Sequence, residues 1–186
     1  MGFAGLDPVP IPARRGATPF YDAARFPELE SVRAAWREVR DEAVAARSRM
    51  SHVDDSRTRA GDWAVLPLLP EAEDRALYTD AECARHRSAA PRTVELVERL
   101  AGVRGYVFSS LASGAHIAAH QHSQPYVTAA LCLQGGAGSS IEVGGELRTF
   151  VDGEWTVFDY TLVHAVTNVG SIDRIALLVL LSRPLR

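Results

Sequence analysis

Four histidines have the types and spacing that metal coordination requires. His116, His120 and His122 fall within seven residues, and His164 follows 44 residues after His120. If the strand that holds the first three is regular, alternate side chains share one face and these imidazoles point the same way. A close pair of histidines with one distant partner is typical of a mononuclear metal site held between two strands. Imidazole suits iron, zinc, copper and nickel, so the ligands alone do not name the metal.

Not every histidine is an equally good candidate. His116 is the weakest member of the cluster, since a partly exposed strand residue would explain it equally well. His52 and His86 lie in polar stretches, which favour surface or hydrogen-bonded histidines without a metal. The favoured ligands are therefore His120, His164 and His122.

Arg174 is the second residue whose position indicates chemistry. It directly precedes the most apolar segment of the chain, Ile175–Leu181, and a charge beside such a strand needs a partner. A guanidinium can bind a carboxylate through two parallel hydrogen bonds. Arg174 follows His164 by ten residues, so both can face one barrel interior. An exposed arginine, or an ion pair with Asp159 or Asp173, remains the alternative.

The elements that must position these residues are short strands. Beyond residue 103, β-like segments alternate with glycine-containing turns, and Gly144-Gly145 fits a two-residue hairpin. Such spacing predicts a mainly β fold, a sandwich or barrel, with the preceding helices packed on an outer face. The predicted strands are Tyr106–Leu111, His116–His120, Tyr126–Leu133, Ser139–Val143, Leu147–Phe150, Trp155–Phe158, His164–Asn168 and Arg174–Ser182.

The first hundred residues have a more helical pattern. Apolar residues at helical spacing predict a helix from Pro27, and a second helix is expected from Pro91. Trp63–Leu69 is predicted as a strand, 48–62 as a loop and 71–90 as irregular.

Proline spacing and these patterns give the domain organisation. Four prolines within 1–19 predict an extended N-terminal arm. A single domain is expected over 20–186, helical over 20–100 and with its β core over 104–186.

Composition excludes several classes of protein. The 186 residues carry a net charge of −3, which gives no overall basic field for nucleic acid or an anionic membrane. All 20 basic residues are arginine, so lysine Schiff-base and P-loop chemistry are excluded. Two cysteines and the absence of a signal-peptide pattern favour a cytoplasmic protein. We expect no nucleic-acid partner and no membrane partner.

Several short motifs follow one another in a fixed order. They are Phe20-Tyr21-Asp22, Phe26-Pro27-Glu28-Leu29 with Trp36, Gly61-Asp62-Trp63, Ala90-Pro91-Arg92-Thr93, Phe108-Ser109-Ser110-Leu111 through Gly114 to His120, Phe158-Asp159 through His164, Arg174, and Arg183-Pro184. Together they resemble the aspartyl/asparaginyl β-hydroxylases, which are non-haem Fe(II)- and 2-oxoglutarate-dependent oxygenases. The resemblance covers most of the chain and implies a cupin-like double-stranded β-helix, or jelly roll.

The resemblance also implies roles for individual residues. His120 and His164 would be iron ligands, and Arg174 with Ser109 would hold the distal carboxylate of 2-oxoglutarate. Trp63 would line the pocket, although a core aromatic is the alternative. The cofactors implied are Fe(II), 2-oxoglutarate as co-substrate and O2.

Two departures from the family pattern bear on function. His122 stands where many related oxygenases have a carboxylate, and it either completes a three-histidine site or swings away. Thr128 and Ala130 stand where the family often has arginine and histidine. The pocket has therefore lost a cation, which disfavours a strongly acidic substrate because its buried carboxylate would lack a partner.

The function expected from the sequence is a 2-oxoglutarate-dependent dioxygenase that oxidises a C–H bond of an amino acid, peptidyl residue or small natural product. One alternative is a three-histidine cupin dioxygenase that does not use 2-oxoglutarate. The other is a catalytically silent cupin-like binding module.

Overall fold

A computed structural model describes residues 18–53, 58–60, 62–72 and 74–182. Almost all of the predicted arm over 1–19 lies outside these residues, as do Gly61 and the Arg183-Pro184 motif. The predicted limits of the single domain stay a prediction.

Twelve strands in the described part of the chain form two antiparallel sheets. They are β1 (Phe20–Tyr21), β2 (Ser51–His52), β3 (Thr58–Ala60), β4 (Trp63–Leu69), β5 (Val103–Leu111), β6 (His116–His120), β7 (Tyr126–Gln134), β8 (Ser139–Val143), β9 (Glu146–Thr149), β10 (Trp155–Asp159), β11 (His164–Asn168) and β12 (Arg174–Ser182). The large sheet has the order β1-β10-β7-β12-β5-β4-β2, and the small sheet has the order β3-β6-β11-β8-β9.

The topology of β5 to β12 is that of a double-stranded β-helix. Its eight strands divide between the two sheets so that β10-β7-β12-β5 faces β6-β11-β8-β9, and every connection except the β8–β9 hairpin crosses from one sheet to the other. This confirms the predicted mainly β, jelly-roll fold, and all eight predicted strands exist with ends that differ by three residues at most. The Gly144-Gly145 hairpin is also confirmed, since both residues have positive φ, +55° and +87°, between β8 and β9.

Helices cover the outer face of the large sheet, as the sequence predicts. They are α1 (Glu30–Ala34), α2 (Trp36–Ala45), α3 (Asp80–Ser88) and α4 (Pro91–Val97), with short 3-10 turns between them. Val39 and Ala43 of α2 are fully buried in one apolar cluster with Leu131 and Leu177 of the sheet. None of the helices in the described ranges is long and apolar enough to cross a lipid bilayer.

Two local predictions are wrong. The stretch 71–90, expected to be irregular, contains α3, which begins with a capping box: Thr79 Oγ1 accepts from the Glu82 amide, and the Glu82 carboxylate accepts from the Thr79 amide. A helix held at its end in this way needs no apolar stripe, which is why periodicity missed it.

The expected loop over 48–62 holds the short strands β2 and β3. These strands are only two and three residues long and so carry no readable alternation. The predicted helical part over 20–100 thus also contains β1 to β4, three of which extend the large sheet.

A second apolar cluster fills the space between the sheets. Its members include Leu111, Ile141, Phe150 and Phe158, all at most 4% exposed. This layer forms the walls of the cavity that contains the candidate site.

Gly135 allows the chain to pass close to the start of β12. Its φ is +79°, and a Cβ there would lie 2.7 Å from the Asp173 carbonyl oxygen and 2.9 Å from the Arg174 Cα. Only glycine fits such an approach at a positive φ. Gly135 therefore fixes the backbone beside Arg174.

Candidate metal centre

Two histidines meet across the small sheet. His120 is the last residue of β6, His164 is the first residue of β11, and the two are direct cross-strand partners. Their ring centroids are 4.3 Å apart. The predicted pair of iron ligands is thus brought together.

Backbone hydrogen bonds fix the tautomer of both rings. The His120 Nδ1 lies 2.8 Å from the Ala118 carbonyl oxygen, and the His164 Nδ1 lies 2.8 Å from the Leu162 carbonyl oxygen. A carbonyl can only accept, so each Nδ1 carries a proton, and in the neutral ring the lone pair is then on Nε2. Metal-binding histidines are oriented by this kind of outer hydrogen bond.

His122 completes a triad. The ligand nitrogens of His120, His122 and His164 all lie within 4.8 Å of one another. The His122 ring is stacked on Tyr160, with centroids 3.8 Å apart and an angle of 8° between the planes. Three converging imidazoles fit a borderline transition-metal ion. The cluster in the described residues contains no carboxylate.

His116 does not belong to this cluster. The pairing of β6 with β11 shifts by one residue. His164 opposes His120, but Val166 opposes Ile117, so two steps along β11 correspond to three steps along β6. This extra residue in β6 is a β-bulge, which reverses the alternation of faces. Ile117 therefore faces the cavity, and His116 instead hydrogen-bonds Thr167 Oγ1 at 2.8 Å. The predicted shared face is wrong for His116.

The remaining histidines also lie outside the triad. His86 in α3 has its Nδ1 2.9 Å from the Pro67 carbonyl oxygen. His52 in β2 contacts the carboxylate of Asp62. Neither was predicted to bind a metal.

Arg174 is buried without a counter-charge in the described part of the chain. It is 2% exposed, no carboxylate of the described residues pairs with it, and its Nε has no hydrogen-bond partner. Asp173 instead pairs with Arg47, and Asp159 accepts from Thr161. Burial lowers the pKa of the guanidinium. The alternatives of an exposed arginine or an ion pair with these aspartates are therefore wrong.

Ser109 and Trp63 lie beside Arg174 on neighbouring strands of the large sheet. Trp63 in β4 and Arg174 in β12 are both cross-strand partners of Leu111 in β5. The Trp63 indole N–H donates to Ser109 Oγ at 3.1 Å, and Ser109 is 1% exposed. Arg174 and Ser109, predicted to hold the co-substrate carboxylate, and Trp63, predicted to line the pocket, thus line the same cavity.

One cavity of about 550 Å³ contains both groups. Its walls include the histidine triad, Arg174, Ser109 and Trp63, and also Thr128 and Ala130. Thr128 is 2% exposed, and its Oγ1 has no hydrogen-bond partner among the residues that the structure describes. The volume is within the range of small-molecule sites.

Sequence reasoning missed two polar residues of this cavity. The Tyr160 hydroxyl donates to Glu71 Oε1 at 2.9 Å, and Glu71 is only 8% exposed. Tyr160 lies within the segment that leads to His164, but nothing in its spacing indicated a contact with His122. Glu71 falls in the stretch that was expected to be irregular.

Comparison with solved structures finds proteins with low sequence identity. The crystal structure of a predicted oxalate decarboxylase from Thermotoga maritima is 16% identical over 72% of this chain and 91% of that chain, with a TM-score of 0.48. A cupin-like protein from Thermotoga maritima is 11% identical over 72% and 77%, with a TM-score of 0.46. A cupin 2 conserved barrel domain protein from Rhodopseudomonas palustris is 9% identical over 74% of each chain, with a TM-score of 0.42.

No curated protein matches the chain. The family model of the aspartyl/asparaginyl beta-hydroxylases, in contrast, matches residues 33–184. This range contains the histidine triad, Arg174, Ser109 and Trp63. The chain belongs to the aspartyl/asparaginyl beta-hydroxylase family.

Proposed function

We propose that the protein is an Fe(II)- and 2-oxoglutarate-dependent dioxygenase that hydroxylates a C–H bond of an amino-acid-like or other small substrate. The observation that carries this proposal is the buried guanidinium of Arg174, which pairs with no carboxylate of the described residues, in the same cavity as three converging imidazoles. Membership of a hydroxylase family supports it.

Arg174 has the properties of a carboxylate-binding group. A charge held out of water without a partner is costly, and its retention is explained if a ligand supplies the opposite charge. The planar guanidinium can bind the distal carboxylate of 2-oxoglutarate through two hydrogen bonds. Since Ser109 Oγ accepts from Trp63, its own O–H remains to donate to the same carboxylate.

The histidines have the properties of iron ligands. His120 and His164 present Nε2 lone pairs, and we assign His122 as the third ligand. Fe(II) with bound 2-oxoglutarate supplies the reaction: O2 is reduced, the keto acid is decarboxylated to succinate and CO2, and one oxygen atom enters a C–H bond. The chain's contribution is to orient the ligands and to exclude water with apolar walls such as Ile117 and Ile141.

Anaerobic titration tests the proposal directly. Adding 2-oxoglutarate to the Fe(II)-loaded protein should give the weak visible metal-to-ligand charge-transfer band of an iron-bound keto acid. R174M should weaken this response, whereas R104M, a change at an exposed arginine hydrogen-bonded to Ser182, should leave it unchanged. Admission of O2 should then yield succinate. An Fe(II)-loaded wild-type protein without the band would exclude the proposal.

His122 favours a second candidate. A site of three neutral imidazoles is that of a three-histidine dioxygenase, in which the substrate binds iron without 2-oxoglutarate. Its expected result is stoichiometric Fe(II) binding with no spectral response to 2-oxoglutarate. For a silent binding module, the expected result is that H120A and H164A leave the metal content of the protein unchanged.

A further inference from the structure

We propose that Thr128 is a substrate-binding residue, and that its hydroxyl donates a hydrogen bond to an uncharged carbonyl or carboxamide group of the substrate. This inference rests on the proposed function, because it names the chemical class that the same cavity accepts beside 2-oxoglutarate. The juxtaposition that carries it is a buried hydroxyl, without a partner in the described residues, one strand away from a ring that contacts the histidine triad.

The Thr128 hydroxyl is an unusual group for a protein interior. The residue is only 2% exposed, and among the described residues nothing hydrogen-bonds its Oγ1. A buried hydroxyl without a partner costs free energy, so such groups are rare and each needs an explanation. Because Thr128 also lines the cavity, a bound ligand can supply the partner.

The large sheet places Thr128 beside the histidine triad. Thr128 in β7 lies directly between Phe158 of β10 and Leu180 of β12, and all three residues line the cavity. The centroid of the Phe158 ring is 5.3 Å from that of the His164 ring. Since neighbouring strands are about 4.8 Å apart, a group bound by Thr128 lies at the metal end of the cavity.

Arg174 is too far along the sheet to bind the same group. Arg174 and Leu180 are six residues apart in β12, and six residues of a strand span about 20 Å. Thr128, as the cross-strand partner of Leu180, is displaced from Arg174 by a similar distance. A five-carbon dicarboxylate such as 2-oxoglutarate also fills only part of a cavity of about 550 Å³. The remaining volume is available for the substrate.

The surroundings of Thr128 favour an uncharged partner. Its neighbours on the cavity wall include the apolar side chains of Ala130 and Leu178. Arg174 is the one lysine or arginine of the described lining, and 2-oxoglutarate would occupy it. A second carboxylate held by Thr128 would have neither side chain to pair with in that lining, and its desolvation costs more than that of a neutral amide or ketone. A carbonyl oxygen needs one donor, which the Thr128 hydroxyl provides.

Three probes that share a phenyl ring test the proposal. Protein loaded with Zn(II) and 2-oxoglutarate, so that Arg174 is occupied, is titrated with benzamide, benzenesulfonate and toluene, and binding is followed by saturation-transfer NMR. We expect T128V to weaken benzamide binding about three- to tenfold, the range of one hydrogen bond, and to bind toluene at least as tightly as the wild type does. T128S keeps the hydroxyl and should retain most of the affinity for benzamide. Benzenesulfonate should bind the wild type at least about tenfold more weakly than benzamide.

A matched control and two further readouts separate the outcomes. T149V changes an exposed threonine in β9 and should bind benzamide like the wild type. Ligand-free T128V should unfold at a higher urea concentration than the wild type, because valine keeps the shape of the side chain and removes the unsatisfied hydroxyl. The Fe(II)–2-oxoglutarate band should form in T128V at the same concentration of 2-oxoglutarate as in the wild type.

The inference is overturned if the wild type does not bind benzamide, or if it binds benzenesulfonate as tightly. It is also overturned if T128V binds benzamide like the wild type, if T128S is as weak as T128V, or if T128V unfolds at a lower urea concentration, since the hydroxyl would then have a structural partner. Weaker binding of 2-oxoglutarate by T128V would assign the hydroxyl to the co-substrate instead. Absence of the band in the wild type would reject the proposed function itself.

Discussion

His120 and His164 stand directly opposite each other in the small sheet, with their ring centroids 4.3 Å apart. The β-bulge between Ile117 and His120 places His120 at this position, and it turns His116 away. The same irregularity therefore includes one histidine in the candidate metal site and excludes its neighbour on the same strand.

The first prediction concerns these two ligands. H120A and H164A should each lower metal affinity by more than about 100-fold, beyond the range typical of outer-shell changes, because each removes a donor nitrogen. H116A is the matched control on the same strand and should bind metal like the wild type. The metal content of each variant after equilibrium dialysis measures its metal affinity. Retention of full stoichiometry in either ligand variant would contradict the assignment.

The second prediction concerns His122. In the Cu(II)-substituted protein, electron paramagnetic resonance should report three coordinating nitrogens, since the three ligand atoms lie within 4.8 Å of one another. H122A should reduce this number to two and weaken metal binding. An unchanged nitrogen pattern in H122A would place the ring beside the metal, stacked on Tyr160 but not coordinated.

Sequence could predict the strands because turns that contain glycine separate short apolar segments. It could not predict α3, since the Thr79–Glu82 capping box stabilises that helix without an apolar stripe. Nor could it exclude His116, because a one-residue bulge is invisible in the pattern. The contact between Glu71 and Tyr160 joins residues 89 positions apart. It depends on how β4 ends against Gly105, a relationship that only three-dimensional structure provides.

The third prediction concerns the stability of the ligand-free protein. R174M should raise the free energy of unfolding by about 1–3 kcal/mol, because methionine fills the space without an unpaired buried charge. The proposed function also predicts that 2-oxoglutarate stabilises the folded wild type and that this stabilisation is lost in the same variant. Urea unfolding with and without 2-oxoglutarate measures both effects. A destabilised R174M would indicate that the cation–π contact of the guanidinium with the Phe150 ring, 5.2 Å from Cζ to the ring centroid, outweighs the cost of burying the charge.

The last prediction concerns Cys132, a thiol at the centre of β7 that is fully buried. Burial raises its pKa from 9.0 to about 12 in the folded protein. Between pH 9 and pH 12 the thiol is protonated in the folded state and ionised in the unfolded state. The free energy of unfolding is therefore highest below pH 9 and falls as the pH rises towards 12. The slope is about 1.4 kcal/mol per pH unit. C132A removes the titrating thiol. The cavity that it leaves lowers the free energy of unfolding by the same amount at every pH. The stability of the wild type relative to C132A should therefore fall between pH 9 and 10.5 in urea unfolding of the metal-free protein. A constant difference over that range would show that the thiol ionises equally readily in both states.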